Sequence, residues 1–259
     1  MLLEVKDLNI SLTSGKSVAE HISFQLAQGE MLSIVGSSGA GKTTICKAIM
    51  GLLGNAYRAD GEILFQGEDL LDLPERKRQT IYGKEICLIM QNPMTAFNPS
   101  IRVGRQLEKT YLLHRGKTPR QEMQRLFSAI LQKLGLEDTQ RILNSYPFTL
   151  SGGMLQRLMI AAALMCQPAL LVADEATTAI DACNRIGLMR ELKSFCKDGM
   201  SVLFVTHDLR SASVSDRILV MDRGQIVEQD TTERILNAPE EDYTKYLLNA
   251  CRLERREMS

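Results

Sequence analysis

Residues 36–43 read GSSGAGKT and match the pattern G-x-x-x-x-G-K-[ST], in which glycines let successive backbone N–H groups point at phosphate oxygens. The apolar run 31–35 precedes the motif as a predicted buried strand, and apolar residues recur at helical spacing after it. In this pattern Lys42 would reach the outer phosphates and Thr43 would ligate magnesium. The residues therefore predict a nucleotide-binding site, the alternative being an ordinary Gly/Ser turn before a helix.

Several apolar runs share one layout, because each ends in polar residues that can do chemistry. The runs are 31–35, 86–90, 170–173 and 201–205, and they lead into the GSSGAGKT motif, Gln91, Asp174-Glu175 and Thr206-His207-Asp208. Buried runs of this kind indicate a parallel sheet. Ligands of open α/β sheets bind beyond the carboxyl ends of the strands, so we expect these residues to converge on one nucleotide.

Asp174 and Glu175 are adjacent carboxylates with different predicted tasks. Asp174 would hold magnesium, while Glu175 would orient an attacking water and accept its proton. This arrangement favours a hydrolase over a kinase; the alternative is a solvated pair that caps the next helix. His207 could donate to the terminal phosphate, whereas the histidines at 21 and 114 lie too far from it in sequence to suggest a metal cluster.

The segment between the predicted sheet halves, about 93–165, is mostly helical in pattern. Residues 118–121 read TPRQ and predict a capping box with proline at the first helical position, and Gly135 ends that helix. Ser151-Gly152-Gly153 opens another helix. A second glycine-bearing helix N-terminus is a second candidate anion site, or else an N-cap with a flexible lead.

Composition limits the classes of function. The chain has 259 residues, 44% of them apolar, and its 31 basic and 31 acidic residues cancel, so no global field attracts nucleic acid. The basic clusters 76–78 and 252–256 are interpreted as solvated faces. Six scattered cysteines indicate a reducing cytoplasm, and the N-terminus lacks the layout of a signal peptide. The longest apolar run, 158–166, has nine residues, about half of the roughly 18 that a membrane helix needs.

In their order along the chain, GSSGAGKT, Gln91, the 150–154 motif LSGGM, Asp174-Glu175, Asp181 and His207 resemble the ATP-binding subunit of ABC transporters. The resemblance implies an α/β fold: a P-loop NTPase (RecA-like) core with a mostly parallel sheet, an N-terminal antiparallel β-subdomain and an inserted α-helical subdomain. It implies an ATP-binding domain over 1–230, with the helical subdomain at about 93–165, and a short C-terminal tail over 231–259.

The family resemblance also implies that two such chains sandwich two ATP molecules head to tail, each phosphate loop facing the partner's Ser-Gly-Gly motif. Gln91 would sense magnesium and relay to the permease, and Asp181 would lie at the dimer seam. The implied ATP contacts are Gly36, Ser37, Ser38, Gly39, Ala40, Gly41, Lys42, Thr43, Thr44, Asp174, Ser151, Gly152, Gly153 and Asp181. The implied catalytic residues are Glu175, His207 and Gln91, and the implied Mg²⁺ residues are Thr43, Gln91 and Asp174.

Local motifs narrow the resemblance to the oligopeptide, dipeptide and nickel importer branch. They are MQNP at 90–93, FNP at 97–99 and LSGGMLQR at 150–157, and YTKYLL at 243–248 is most similar to nickel or metallophore import subunits. The implied function is the ATP-hydrolysing motor of a nickel or nickel-metallophore importer, with peptide import as the alternative. Implied partners are a second ATP-binding subunit, either a different chain or a copy, two membrane permease subunits and, indirectly, an extracytoplasmic solute-binding protein. The implied location is the cytoplasmic face of the inner membrane.

Some positions depart from the family pattern. Ala176 replaces proline, Ile180 replaces leucine, Asp230 replaces glycine, and 12–18 has no aromatic residue to stack on adenine.

Two other classes of protein are alternatives to a transport subunit. A soluble ABC ATPase of translation or DNA repair typically carries two cassettes, a coiled-coil insertion or basic tracts, and a small-molecule phosphotransferase would leave the Ser-Gly-Gly motif and His207 without a purpose.

Overall fold

The structure of the protein, a computed structural model, describes residues 1–177 and 182–257. The strands are β1 (Leu3–Leu12), β2 (Ser17–Leu26), β3 (Met31–Gly36), β4 (Tyr57–Phe65), β5 (Glu68–Asp69), β6 (Ile86–Ile89), β7 (Leu170–Asp174), β8 (Ser201–Thr206), β9 (Arg217–Asp222) and β10 (Gln225–Thr231). The helices are α1 (Lys42–Ile49), α2 (Glu75–Ile81), α3 (Val103–Arg115), α4 (Arg120–Lys133), α5 (Thr139–Asn144), α6 (Gly152–Met165), α7 (Ala182–Cys196), α8 (Leu209–Ala212), α9 (Thr232–Asn237) and α10 (Asp242–Glu257).

A six-stranded sheet in the order β10-β9-β3-β8-β7-β6 forms the centre of the molecule. Strands β9, β3, β8, β7 and β6 are parallel, and β10 is antiparallel to β9. The four apolar runs of the sequence are β3, β6, β7 and β8, which lie side by side in the order β3-β8-β7-β6. Most of their residues are buried, as expected for parallel strands covered on both faces. The prediction of a mostly parallel sheet is confirmed.

A second sheet of four antiparallel strands, in the order β2-β1-β4-β5, covers α1 and one face of the central sheet. Its strands alternate between buried and exposed residues, as expected for a sheet with one face in water. One apolar core joins the two sheets and includes Leu3, Ile45 and Leu203. The predicted N-terminal β-subdomain is therefore present.

Helices α3 to α6 form the inserted helical part of the fold, and their apolar faces share a core with the central sheet. Tyr111 and Phe127 pack edge to face there, with ring centroids 5.6 Å apart. The predicted capping box at 118–121 is wrong, because α4 begins at Arg120 with Pro119 at its N-cap position and no side-chain cap. The Thr118 hydroxyl instead donates to the Tyr111 hydroxyl at 3.3 Å. The division of the chain into domains at 230 stays a prediction.

The C-terminal helices α9 and α10 pack on α8 and on the other face of the central sheet. A third apolar core joins them and includes Val35 of β3, Ile235 and Leu248. Asp230, which replaces the family's glycine, forms an ion pair with Arg234 at 2.9 Å and so is accommodated at the start of α9. Within residues 1–177 and 182–257, the structure contains no helix that combines the length and apolarity needed to span a membrane.

Candidate functional site

The loop of residues 36–41 joins β3 to α1, and its backbone requires glycine at two positions. Gly41 has φ 96°, a left-handed conformation, and a Cβ added to it would lie 2.8 Å from the Val18 carbonyl oxygen. A Cβ on Gly36 would lie 2.2 Å from the Met221 carbonyl oxygen, so the entrance of the loop packs directly on β9. These contacts fix the backbone of the loop, and α1 begins directly after it at Lys42. The loop can therefore present backbone N–H groups to an anion.

Lys42 is the buried cation of this loop, with 5% of its surface exposed. Its Nζ donates to the carbonyl oxygens of Gly36 and Ser37, each at 2.8 Å. Burial lowers the pKa of Lys42, while the negative charges of Glu175 and Asp174 act in the opposite direction. The ammonium group is thus held inside the loop, where an incoming anion would meet it.

Thr43 and Asp174 lie side by side at the carboxyl end of β7. The Thr43 hydroxyl donates to Asp174 Oδ1 at 3.2 Å. Burial raises the pKa of the Asp174 carboxyl, and the hydrogen bond from Thr43 opposes that rise. A hydroxyl and a carboxylate are hard oxygen donors of the kind that Mg²⁺ prefers.

Glu175 lies between Gln91 and His207, which come from neighbouring strand ends. Gln91 Nε2 donates to Glu175 Oε2 at 2.8 Å, and His207 Nδ1 forms a hydrogen bond with Glu175 Oε1 at 3.0 Å. The backbone N–H of Glu175 donates to the Val205 carbonyl oxygen at 2.8 Å. The structure therefore brings together Gln91, Glu175 and His207, as the common edge of a parallel sheet requires.

Glu175 also has a left-handed backbone conformation, with φ 48°, which is uncommon for a residue other than glycine. Such a conformation persists only where the surrounding structure holds it, and it is frequent at functional sites. Here the bond to Val205 and the two side-chain partners hold it. Sequence reasoning missed this feature, because the only signal is the position of an acidic residue at a strand end.

The Ser-Gly-Gly segment lies at the N-terminus of α6, where Ser151 is the N-cap and accepts from the Met154 N–H at 3.3 Å. Ser151 and Gly152 are exposed and Gly153 is half-buried. Among the described residues, no hydrogen bond joins 151–153 to the loop and first turn of 36–44. Asp181, also predicted as an ATP contact, lies outside the described residues.

Two groups beside the site make contacts that were not predicted from the sequence. Asp208, directly after His207, accepts from Arg185 Nη1 at 3.0 Å and from the Ser211 hydroxyl at 2.7 Å. Burial alone would raise the pKa of Asp208, but these bonds and the Arg210 N–H lower it. The second group is Tyr243, whose hydroxyl oxygen accepts from the Ser37 N–H at 3.1 Å. No short-range pattern signals a contact between α10 and the loop.

Comparison with known proteins, like the geometry of the site, points to a nucleotide-binding protein. The family model described as ABC transporter matches residues 19–178, more than half of the chain. The chain is 41% identical to the metal-staphylopine import system ATP-binding protein of Staphylococcus aureus, over 96% of this chain and 92% of that protein. It is 40% identical to the dipeptide transport ATP-binding protein of Haemophilus influenzae, over 96% of this chain and 77% of that protein.

A solved structure leads to the same class of protein. An ATP-binding cassette, determined as a dimer in a post-hydrolysis state with ADP and phosphate, superimposes with a TM-score of 0.78 at 26% identity and covers 89% of this chain and 98% of that one. The chain belongs to the ABC transporter family. Its fold and its branch of the family, predicted from the motifs, are confirmed, and it is an ATPase.

Proposed function

We propose that this chain is the ATP-hydrolysing motor of a membrane importer and that Glu175 is its catalytic base. The observation that carries the proposal is the clamp on Glu175, in which both carboxylate oxygens are bound by side chains from neighbouring strand ends. The clamp lies at the sheet edge where β7 ends beside the phosphate loop, since Asp174 contacts Thr43 of α1. A carboxylate fixed next to a phosphate loop supplies the positioning that phosphoryl transfer to water requires.

In the proposed reaction, residues 36–44 bind the ATP phosphates through the Lys42 ammonium and through backbone N–H groups, apart from the Ser37 N–H, which donates to Tyr243. Glu175 orients a water molecule toward the terminal phosphorus and accepts its proton as the new P–O bond forms and the bond to ADP breaks. His207 contacts Glu175 and therefore lies beside the place where the terminal phosphate would bind. We assign His207 a hydrogen bond to the γ-phosphate. Gln91 fixes the other carboxylate oxygen.

The residues at the end of β7 fit a magnesium ion. Thr43 and Asp174 would hold it, because their side-chain oxygen atoms meet at this strand end. We assign Gln91 as a third residue of the magnesium site, since its side chain carries an amide oxygen and lies beside Glu175. When bound, Mg²⁺ would neutralise charge on the phosphate oxygens. Asp174 keeps the Thr43 hydroxyl oriented at this point through their hydrogen bond.

The Asp174→Asn variant is expected to raise the Mg²⁺ concentration for half-maximal ATP hydrolysis by about tenfold or more, because a charged oxygen is replaced by a neutral amide. Magnesium titration of steady-state phosphate release measures it. Asp72→Asn, a change in the loop before α2, is the control and should titrate like wild type. An unchanged magnesium requirement in Asp174→Asn would contradict the assignment.

The Ser-Gly-Gly segment completes the site in a pair of chains. Because Ser151 and Gly152 are exposed at the N-terminus of α6, they are available to the ATP held by a partner's phosphate loop. We propose a head-to-tail dimer in which Ser151, Gly152, Gly153 and Asp181 contact ATP across the interface. The partner is a second ATP-binding subunit, either a different chain or a copy of this one.

ATP can drive such a machine because it binds the closed dimer better than the open one. Closure would rearrange two permease subunits, and hydrolysis at Glu175 would reopen the dimer. We place the chain on the cytoplasmic face of the inner membrane, attached through the permease and served by an extracytoplasmic solute-binding protein. This arrangement is supported by the names of two relatives, one from a metal-staphylopine import system and one from dipeptide transport.

We propose nickel or a nickel-metallophore complex as the cargo, with di- or oligopeptides as the second candidate. The metal-staphylopine relative and the YTKYLL tail favour the first, and the 40% identity to a dipeptide transport subunit favours the second. The cargo meets other chains, so the residues that distinguish these cargoes lie outside this subunit.

Cells that lack this chain are expected to lose uptake of labelled nickel, supplied alone or with a metallophore, and to retain uptake of a labelled dipeptide. Expression of the wild-type chain should restore nickel uptake, because every transport cycle needs ATP hydrolysis by this subunit. Loss of dipeptide uptake alone would establish the second candidate. Unchanged uptake of every cargo would contradict the importer assignment.

A further inference from the structure

Tyr243 reaches the phosphate loop from a distant part of the chain. It is the second residue of α10 and is half-buried, with its ring packed on the third apolar core beside Val35 and Leu248. Its hydroxyl oxygen accepts from the backbone N–H of Ser37 at 3.1 Å. The C-terminal helix thus contacts the second residue of the loop.

The hydrogen bond acts on the peptide unit that holds Lys42. That unit contains the Gly36 carbonyl and the Ser37 N–H, and the carbonyl oxygen accepts from Lys42 Nζ at 2.8 Å. In a trans peptide the C=O and N–H groups point in opposite directions. Lys42 and Tyr243 therefore hold opposite edges of one peptide plane.

The rest of the loop entrance gives this plane little freedom. Gly36 approaches the Met221 carbonyl so closely that a side chain could not fit between them, so the backbone cannot shift toward β9. Rotation of the peptide plane does not require such a shift, and it would carry the Gly36 oxygen away from Lys42. The Tyr243 hydroxyl opposes this rotation, whereas its ring only packs on the apolar core.

We infer that Tyr243 is a positioning residue for ATP binding, which fixes the Gly36-Ser37 peptide and thereby the resting place of the Lys42 ammonium. The inference rests on the proposed role of residues 36–44 as the phosphate loop. Without the tyrosine hydroxyl, the exposed Ser37 N–H would turn to water and the entrance of the loop would be ordered only when ATP binds. Ordering a segment on binding weakens affinity without changing the chemical step.

Tyr243→Phe in the full-length chain tests this inference, because it removes the hydroxyl and keeps the ring. Tyr246→Phe is the matched control, since Tyr246 lies on the same helix, is 67% exposed and stacks on Tyr243 with centroids 6.4 Å apart. The Kd of a fluorescent ATP analogue, and the KM and kcat of ATP hydrolysis, are measured for both variants. Thermal unfolding of each variant reports whether the fold is retained.

Tyr243→Phe is expected to raise Kd and KM about three- to tenfold, as the loss of one hydrogen bond predicts, while kcat stays within about twofold and Tyr246→Phe matches wild type. Equal Kd values for Tyr243→Phe and wild type would overturn the inference, and so would a fall in kcat without a rise in KM. Equal rises in both variants would show that the effect does not depend on the hydrogen bond to Ser37, and would also overturn the inference. Failure of the wild-type chain itself to bind ATP would refute the proposed function instead.

Discussion

The Glu175→Gln variant is expected to lower the rate of ATP hydrolysis by at least about a hundredfold, the contribution of a positioned general base, while ATP still binds. Glutamine keeps the size and the hydrogen-bonding reach of the side chain, so Gln91 and His207 retain a partner. Its amide cannot accept a proton from water at neutral pH. The chemical step therefore fails in a site whose phosphate contacts are intact.

Steady-state release of inorganic phosphate from purified protein measures this effect, and a fluorescent ATP analogue measures binding. Glu62→Gln is the matched control, because Glu62 is an exposed glutamate that pairs with Lys6 on the N-terminal sheet. The control should hydrolyse ATP at the wild-type rate. Sustained turnover by Glu175→Gln, with contaminating ATPases excluded by a Lys42→Ala preparation, would show that another group is the base.

The Lys42→Ala variant is expected to weaken ATP binding by about a hundredfold, in the range measured for loss of a buried charged partner. Lys42 is 5% exposed, and its Nζ lies within the loop that receives the phosphates. Removing it takes away the buried cation and leaves the carbonyl oxygens of Gly36 and Ser37 unpaired. Both losses disfavour a polyanion in the loop.

Lys47→Ala provides the control for this second variant, because Lys47 lies in the last turn of the same helix and is exposed. Equilibrium binding of the fluorescent ATP analogue should show wild-type affinity for Lys47→Ala and a large loss for Lys42→Ala. Equal affinities of the two variants would contradict the assignment of residues 36–44 as the phosphate loop.

The central sheet and the phosphate loop were predictable from the sequence because both have short-range signals. Strands buried on both faces appear as continuous apolar runs, and β3, β6, β7 and β8 begin where those runs begin. The loop has a fixed spacing of glycines before Lys42. The rule that ligands bind at strand carboxyl ends then predicted that Gln91, Glu175 and His207 would meet.

Features set by tertiary contacts were not predictable. Thr118 follows a capping pattern, yet its hydroxyl is bound by Tyr111, and α4 starts two residues later. The left-handed conformation of Glu175 depends on a bond to Val205 of another strand. The contact of Tyr243 with Ser37 joins residues 206 positions apart. In each case the partner is chosen by the folded structure and not by neighbours in sequence.

The central claim, that ATP hydrolysis at Glu175 powers import, is tested most directly by uptake of the labelled cargo in cells that lack this chain. The cells are complemented with wild type, Glu175→Gln or Glu62→Gln at equal protein levels, and initial uptake rates are compared. Full uptake is expected with wild type and Glu62→Gln, and only background uptake with Glu175→Gln. Uptake at the wild-type rate with Glu175→Gln would contradict the claim that hydrolysis at Glu175 powers import.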